Sequence, residues 1–325
     1  MNKKLRVGVV GVGHLGKFHA EKYYKNKDCY LQCIADSSSR NGENISKMYN
    51  CTFFHDYKSM VDKVDAVSVA TPTTLHYEIT DFFLENGIHV LVEKPITNSV
   101  QLADKLLQKA RDKKLILLVG HVERFNPSVQ SIINILGNRE DNHRVKHIVA
   151  TRLTQFNLRA NDVNVVTDLM IHDIDLTNFF FKSPVGLVQS NHCNVVQQSH
   201  DLSTALLSFT NGCSASLYAS RIAKDPIRQV VLHGKHELFT LDLNKKTIHQ
   251  TKFLMDGNLV KPTTEKLYTK EQDALENQIS AFINNILTGK IHPCSTSASE
   301  GIEALRIAET ITNQAVKRKQ YDTNG

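Results

Sequence analysis

No run in the 325-residue sequence approaches the roughly 20 apolar residues that a membrane-spanning helix needs, so no such segment is expected. Nor is there a C-x-x-C pair. The six cysteines (Cys29, Cys33, Cys51, Cys193, Cys213 and Cys294) are scattered without metal-ligand spacing, which argues for inert, reduced thiols in a cytosol over a disulfide framework. The start, Met1-Asn2-Lys3-Lys4, is basic, but the apolar stretch behind it carries Arg6 and ends in a glycine-rich turn with no small-residue cleavage site; no signal peptide is expected. A strong charge of one sign is also missing. The formal net charge is +6, and the Lys and Arg residues form no stripe interleaved with aromatics. Nucleic acid is therefore not the expected partner, whereas an anionic small molecule such as a dinucleotide or a sugar nucleotide is. Internal repeats, low-complexity tracts and long linkers are absent too.

What remains is an ordinary globular composition, 41% hydrophobic and 22% charged. A chain of this length exceeds the size at which one core stops growing, so two domains are expected. From Leu5 to about Gly120, short apolar runs alternate with amphipathic stretches of helical period, the pattern of a parallel sheet with crossover helices. The runs are 5–10, 30–35, 65–70, 89–92 and 115–119, with a weaker one at 51–54; the helix candidates include 75–86, closed by Gly87, and 99–113, capped by Thr97 or Asn98. Past Gly120-His121 the grammar changes. A short helix from Pro127 to about Leu136, a charged loop (138–143), a strand (145–153) and a helix (165–181) lead into runs of strand character at 187–196, 205–210, 213–222, 229–233 and 238–243. Short turns such as Asn211-Gly212 between them indicate a mostly antiparallel sheet. Two helices, near 273–287 and 297–317, close the chain. The expected fold class is α/β: an N-terminal Rossmann domain with a doubly wound parallel sheet over residues 1–121, and a C-terminal α/β domain over 122–325.

Gly11-Val12-Gly13-His14-Leu15-Gly16 follows the first strand directly and opens a helix, the context in which a G-x-G-x-x-G motif binds a dinucleotide. Gly11 permits the tight turn, Gly13 lets backbone approach the pyrophosphate, and Gly16 allows the helix to pack close to the strand. The helix N-terminus adds free N–H groups and a positive dipole end. Asp36 ends the second strand about twenty residues on, where a carboxylate reaches the adenosine ribose hydroxyls and repels a 2'-phosphate, so NAD is the expected cofactor. The run Ser37-Ser38-Ser39-Arg40 could cradle that phosphate and keeps NADP open.

Val92-Glu93-Lys94-Pro95 lies at the C-terminal end of the fifth strand, the sheet edge where ligands bind. Pro95 biases Lys94 toward an extended backbone, and a lysine there can stabilise an alkoxide as hydride leaves its carbon. A solvated surface lysine is the plainer alternative. Asp168 and His172, four apart on the predicted helix, stack on one face, so His172 is placed as general base with Asp168 orienting or charge-tuning it. A purely structural Asp–His pair is again the alternative. No metal is expected, because Asp173 points about 100° around the helix from His172 and no further ligand cluster is apparent.

Together, the run from Gly8 to Gly16, Ala70-Thr71-Pro72 with His76, Glu93-Lys94-Pro95, and Asp168-x-x-x-His172 resemble the glucose-fructose oxidoreductase, inositol dehydrogenase and MocA family, in the family's order and over nearly the whole chain. The resemblance implies that the second domain's sheet is large and open, often serving oligomer contacts, which suggests a homodimer or homotetramer. It implies that Lys94, Asp168 and His172 form a catalytic trio. It also implies that Ala70, Thr71, Pro72, His76 and Glu93 line the dinucleotide alongside Gly11, Gly13, His14, Leu15, Gly16, Asp36 and Lys94. Residues 120–127 and 168–176 look like a narrower branch, the UDP-N-acetylglucosamine 3-dehydrogenases and related nucleotide-sugar oxidoreductases, in which the C3 hydroxyl is oxidised. In that picture Arg124 and Asn126 sit near cofactor or sugar; a junction arginine and a helix N-cap before Pro127 are the plainer readings. One departure is that Asn164-Val165-Val166-Thr167 precedes Asp168 where the wider family often has glycines. The expected protein is thus a cytoplasmic NAD(P)-dependent sugar dehydrogenase. Oxidation of a free sugar or inositol, and non-catalytic dinucleotide sensing, stand as alternatives.

Overall fold

The computed structural model describes residues 4–137, 145–156, 164–196, 200–256 and 259–314. The chain divides into two compact units: Met1–Phe125 with Gln272–Leu305, and Asn126–Glu271 with the residues from Arg306 on. The expected division at 121/122 differs in two respects. The boundary falls a few residues later, and a C-terminal stretch returns to the first unit.

In the first unit the apolar runs form parallel strands β1 (Leu5–Val10), β2 (Cys29–Ala35), β3 (Thr52–Phe54), β4 (Ala66–Val69), β5 (His89–Val92) and β6 (Leu117–Val119). They lie in the order β6-β5-β4-β1-β2-β3, so the winding reverses between β1 and β4, and the crevice at their C-terminal ends is a topological switch point. Because helices cover both faces, the central strands are mostly apolar: all of β4 is buried, with Ser68 its one polar residue. Val67, Val69, Val90 and Val92 pack with residues of α3 (His76–Glu85) and α4 (Val100–Asp112). Val7, Val9, Ala66 and Leu91 pack with α1 (Gly16–Lys25), next in chain to α2 (Ser39–Tyr49). The N-cap of α4 is Ser99, whose Oγ accepts from Leu102 N–H at 3.4 Å, not Thr97 or Asn98. Thr97 Oγ1 is occupied in donating to Ser99 O.

The second unit opens with α5 (Pro127–Gly137); the expected charged loop after it lies outside the described residues. Strands β7 (His147–Leu153), β8 (Val185–Cys193), β9 (Leu202–Phe209), β10 (Ser214–Ser220), β11 (Ile227–His233), β12 (Glu237–Asp242), β13 (Thr247–Asp256) and β14 (Leu259–Leu267) form one sheet in the order β14-β13-β12-β11-β7-β10-β9-β8. Among the described strands of this sheet, only β7 and β10 pair in parallel. Burial alternates along these strands, as expected for a sheet with one covered face. The hairpin β13–β14 is absent from the sequence reading. Its second strand, LVKPTTEKL, has no apolar alternation and carries Pro262, which an edge position tolerates. The helix expected over 165–181 is one π-helical turn, Val166–Met170, followed by α6 (Ile171–Phe181).

Returning to the first unit, α7 (Ala274–Thr288) adds Ile279, Phe282 and Ile283 to the layer that contains α1. Strand β15 (Thr296–Ser297) pairs antiparallel with β6. Ala298, Ile302 and Leu305 of α8 (Ala298–Gln314) join the other layer. Gly301 makes that packing possible, since a Cβ there would stand 2.5 Å from Val119 Cγ2. Residues 315–317 of the expected last helix lie outside the described residues. Among the described residues no helix is long and apolar enough to cross a membrane.

Candidate active site

The glycine loop has the shape its spacing predicts. Gly11 has φ +81°, and a Cβ there would stand 2.8 Å from Ala70 O, which brings the loops after β1 and β4 together. A Cβ on Gly16 would stand 1.7 Å from Gly11 O, so the helix closes on the loop only without one. At Gly13 a Cβ would meet nothing within 4 Å; here the missing side chain serves space outside the protein. Helix α1 begins without a capping side chain and without an acidic residue in its first turn, so its positive end is not neutralised internally. Asp36 accepts Val12 N–H on one carboxylate oxygen (2.7 Å) and Ser38 N–H on the other (2.8 Å). Thr71 Oγ1 is buried with no hydrogen-bond partner among the described residues. A cradle open at Gly13, an unopposed helix N-terminus and an anchored carboxylate fit a dinucleotide with its pyrophosphate on α1 and its ribose on Asp36.

Lys94 follows β5 in a turn held from two sides. Glu93 Oε1 lies 3.0 Å from His19 Nε2, and Glu93 Oε2 accepts Lys94 N–H at 3.3 Å. The carboxylate fills space left by Gly120, where a Cβ would stand 2.8 Å from Oε1. Burial pushes the Glu93 carboxyl pKa up, but the His19 hydrogen bond and the charges of His19, Lys94 and His76 outweigh it and hold the pKa below the usual range. On the other side, His76 Nδ1 lies 2.8 Å from Pro95 O and Nε2 lies 2.9 Å from Thr71 O. Expected to line the dinucleotide, His76 is 1% exposed and spends both ring nitrogens on backbone carbonyls, tying the Thr71 loop to the Lys94 turn. Burial lowers its pKa against the pull of the two carbonyls, so the neutral ring donates to one of them at a time.

In the second unit, Asp168 sits in the π-helical turn and His172 at the start of α6, both half-buried. π-turns inside helices occur often at functional sites. Asn164 Oδ1 accepts the N–H groups of Val166 and Thr167, and His200 O accepts Val165 N–H, which fixes where the helix begins. Arg221 braces that contact by donating to His200 O and pairing with Asp201 at 3.1 Å. Asp173, next to His172, forms a two-bond pair with Arg152 of β7 (Nε–Oδ2 3.0 Å, Nη2–Oδ1 2.9 Å), and both side chains are at most 3% exposed. Asp173 therefore anchors α6 to the sheet.

Arg124 and Asn126, expected near cofactor or sugar, are also buried. Arg124 Nη1 donates to Glu300 Oε1 at 2.8 Å within the first unit. Asn126 Oδ1 accepts Ser128 N–H, and its Nδ2 donates to Leu243 O in the second. His14 and Leu15 are exposed beside Gly13, while Ala70 and Thr71 are partly buried and Pro72 is exposed. Sequence reasoning missed His19. The available signal was a histidine three residues after Gly16 on a helix face shared with buried Ala20 and Tyr23.

Residues 5–121 match the GFO/IDH/MocA oxidoreductase family with an NAD-binding Rossmann fold, and residues 141–239 match the GFO/IDH/MocA C-terminal domain. The two matches together cover more than half of the chain. The chain belongs to the GFO/IDH/MocA family. It is an NAD-binding oxidoreductase with the α/β fold class expected of it. This GFO/IDH/MocA chain is similar to the UDP-N-acetylglucosamine 3-dehydrogenase of Acidithiobacillus ferrooxidans, at 29% identity over 96% of the chain and 98% of that protein. A solved structure of that enzyme has a TM-score of 0.87 with the same coverage. The inositol 2-dehydrogenase of Rhizobium meliloti is 25% identical over 97% of the chain and 98% of that protein. A levoglucosan dehydrogenase solved with NADH and levoglucosan, 18% identical over 97% of the chain and 98% of that one, shares the fold with a TM-score of 0.84.

Proposed function

We propose that the protein oxidises the C3 hydroxyl of a UDP-N-acetylhexosamine with NAD. The observation that carries this reading is the end-to-end similarity to the A. ferrooxidans UDP-N-acetylglucosamine 3-dehydrogenase. In this reading Gly11, Gly13, His14, Leu15, Gly16, Asp36, Ala70, Thr71, Pro72, Glu93 and Lys94 hold the dinucleotide. His76, Arg124 and Asn126 support the site through the protein groups they bind. Bound NAD supplies an acceptor for the two electrons of the carbinol C–H bond, which leave as hydride. Lys94 donates a hydrogen bond to the reacting oxygen and stabilises the charge that grows there, and His172 takes the hydroxyl proton as the C–O bond becomes a carbonyl. Asp168 orients His172 and stabilises its protonated form.

The test is turnover of purified full-length chain with NAD and UDP-N-acetylglucosamine, followed by nicotinamide absorbance. Lys94→Ala should lower kcat by about a hundred- to a thousandfold while the NADH dissociation constant changes little. Unchanged turnover in that variant removes Lys94 from the chemistry. Turnover confined to inositol or free sugars moves the substrate, and NAD binding without turnover on any of these makes the protein a dinucleotide sensor.

We also propose a homodimer or homotetramer built on the uncovered face of the second unit's sheet, where Leu187 and Leu206 stand more than half exposed. Light scattering of the wild type and of Leu206→Glu tests it: a monomeric wild type refutes the assembly. The six free cysteines, Cys193 among them exposed, support a cytoplasmic location.

A further inference from the structure

Behind Lys94 the first unit contains a buried polar chain whose Tyr23, Ser68 and His19 have no part in this chemistry. It runs from Tyr23 Oη to Ser68 Oγ (2.7 Å), from Ser68 Oγ to His19 Nδ1 (3.1 Å), from His19 Nε2 to Glu93 Oε1 (3.0 Å), and through Glu93 Oε2 to the Lys94 N–H (3.3 Å). A proton path would need an outlet to water. This one ends on a phenol that is fully buried and whose acidity burial suppresses, so it delivers no proton to solvent. What it can do is fix geometry. The donation that satisfies every member runs one way: Tyr23 donates to Ser68, Ser68 donates to His19 Nδ1, and His19 Nε2–H donates to the Glu93 carboxylate.

Three elements meet at that carboxylate. His19 lies one turn into α1, the helix opened by the glycine loop; Glu93 begins the turn that carries Lys94; and Gly120, after β6, leaves the space the carboxylate occupies. We propose that His19 is a positioning residue for Lys94. Its ring, oriented by Ser68 and Tyr23, clamps the Glu93 carboxylate against the Lys94 amide, so the helix that follows the glycine loop also sets where the Lys94 ammonium stands. The functional meaning of the clamp rests on the assignment of Lys94 to the chemistry, but its test does not.

The experiment is amide hydrogen exchange at Lys94 in the full-length protein, read by NMR or by mass spectrometry of a peptide spanning residues 92–97. His19→Leu removes both ring contacts, whereas His19→Gln keeps an N–H that can reach Glu93. Exchange at Lys94 should be about ten- to a hundredfold faster in His19→Leu, the scale of a lost charge-assisted hydrogen bond, and close to wild type in His19→Gln. Adding His19→Leu to Glu93→Gln should bring no further acceleration. The proposal is overturned by wild-type exchange in a folded His19→Leu protein, by equal acceleration in both His19 variants, or by full additivity in the double variant. Should His19→Leu fail to fold, Glu93→Gln alone must accelerate Lys94 exchange and Ser68→Ala must do so by a smaller factor; no change in either overturns it. Wild-type exchange in His19→Leu together with an inactive Lys94→Ala would end the clamp and keep the catalytic lysine. Accelerated exchange with a fully active Lys94→Ala would do the reverse.

Discussion

Replacing Asp36 with alanine probes the dinucleotide site without requiring a substrate. Each carboxylate oxygen already accepts one backbone N–H, from Val12 at 2.7 Å and Ser38 at 2.8 Å, and each retains a lone pair for a ribose hydroxyl. A hydrogen bond to a charged group contributes about 1.5–3 kcal/mol, so losing the ribose contact should weaken NADH binding roughly ten- to a hundredfold. For NADPH the sign reverses. A carboxylate about 4 Å from a phosphate charge is repelled by about 4 kcal/mol at an effective dielectric of 20, and solvent screening at the partly exposed Asp36 reduces this to about 1–2 kcal/mol. Removing it should tighten NADPH about tenfold. The ratio of the two dissociation constants should therefore move by two to three orders of magnitude, roughly, toward NADPH. Asp36→Asn is no gentler a probe, because its amide turns a donor toward one of the two N–H groups. Calorimetric titration of both reduced cofactors into wild type and Asp36→Ala, at one ionic strength, reads the ratio directly. A ratio that moves less than about threefold in a folded variant refutes the ribose role.

Two glycines of the same loop should respond differently to alanine: Gly13→Ala should fold with an unchanged melting temperature yet bind NADH more weakly, whereas Gly16→Ala should melt lower, because its Cβ collides with Gly11 O. Equal melting temperatures for the two would contradict that geometry. Asp173→Ala removes the Nε–Oδ2 and Nη2–Oδ1 bonds to the buried Arg152 guanidinium and should cost about 3–5 kcal/mol, on the order of 10 °C in the melting of the second unit. Arg152→Met combined with Asp173→Leu should recover much of that loss, and a single variant as stable as wild type would show that the pair anchors nothing. Burial lowers the pKa of His76, His89, His147, His200 and His292 in the folded protein. Between those lowered values and about 6.5 the unfolded chain binds more protons, so stability is lost as pH falls through that window. Glu93, whose folded pKa is depressed, adds stability above its unfolded pKa that disappears at still lower pH. A melting temperature that stays flat from neutral pH to about pH 5 would refute the histidine contribution.

The glycine loop and Asp36 were legible because their signals are local: a strand, three glycines and a carboxylate at fixed spacing leave the backbone few alternatives. The parallel strands were legible for a related reason, since a strand covered on both faces is mostly apolar. The β13–β14 hairpin was not: β14 is an edge strand that needs no apolar alternation, and β13, which pairs on both sides, buries the polar Gln250 beside Ile248. His76 and Asn126 read as ligand-contacting residues from their motifs; what the motifs could not show is that both are buried with side-chain bonds to backbone carbonyls. The π-turn holding Asp168 was hidden for another reason. The i, i+4 spacing of Asp168 and His172 in the sequence is the same in either kind of turn, so the spacing cannot tell them apart.

By itself the sequence determined two α/β units, the dinucleotide loop and the residues able to perform acid–base and electrostatic work, because these follow from local periodicity and from side-chain chemistry. Only the tertiary structure decided that residues 272–305 complete the first unit and that His19 reaches Glu93, 74 positions away in the chain. The physical reason is that closing a layer or pairing a buried charge depends on which surfaces remain uncovered once the local elements have formed.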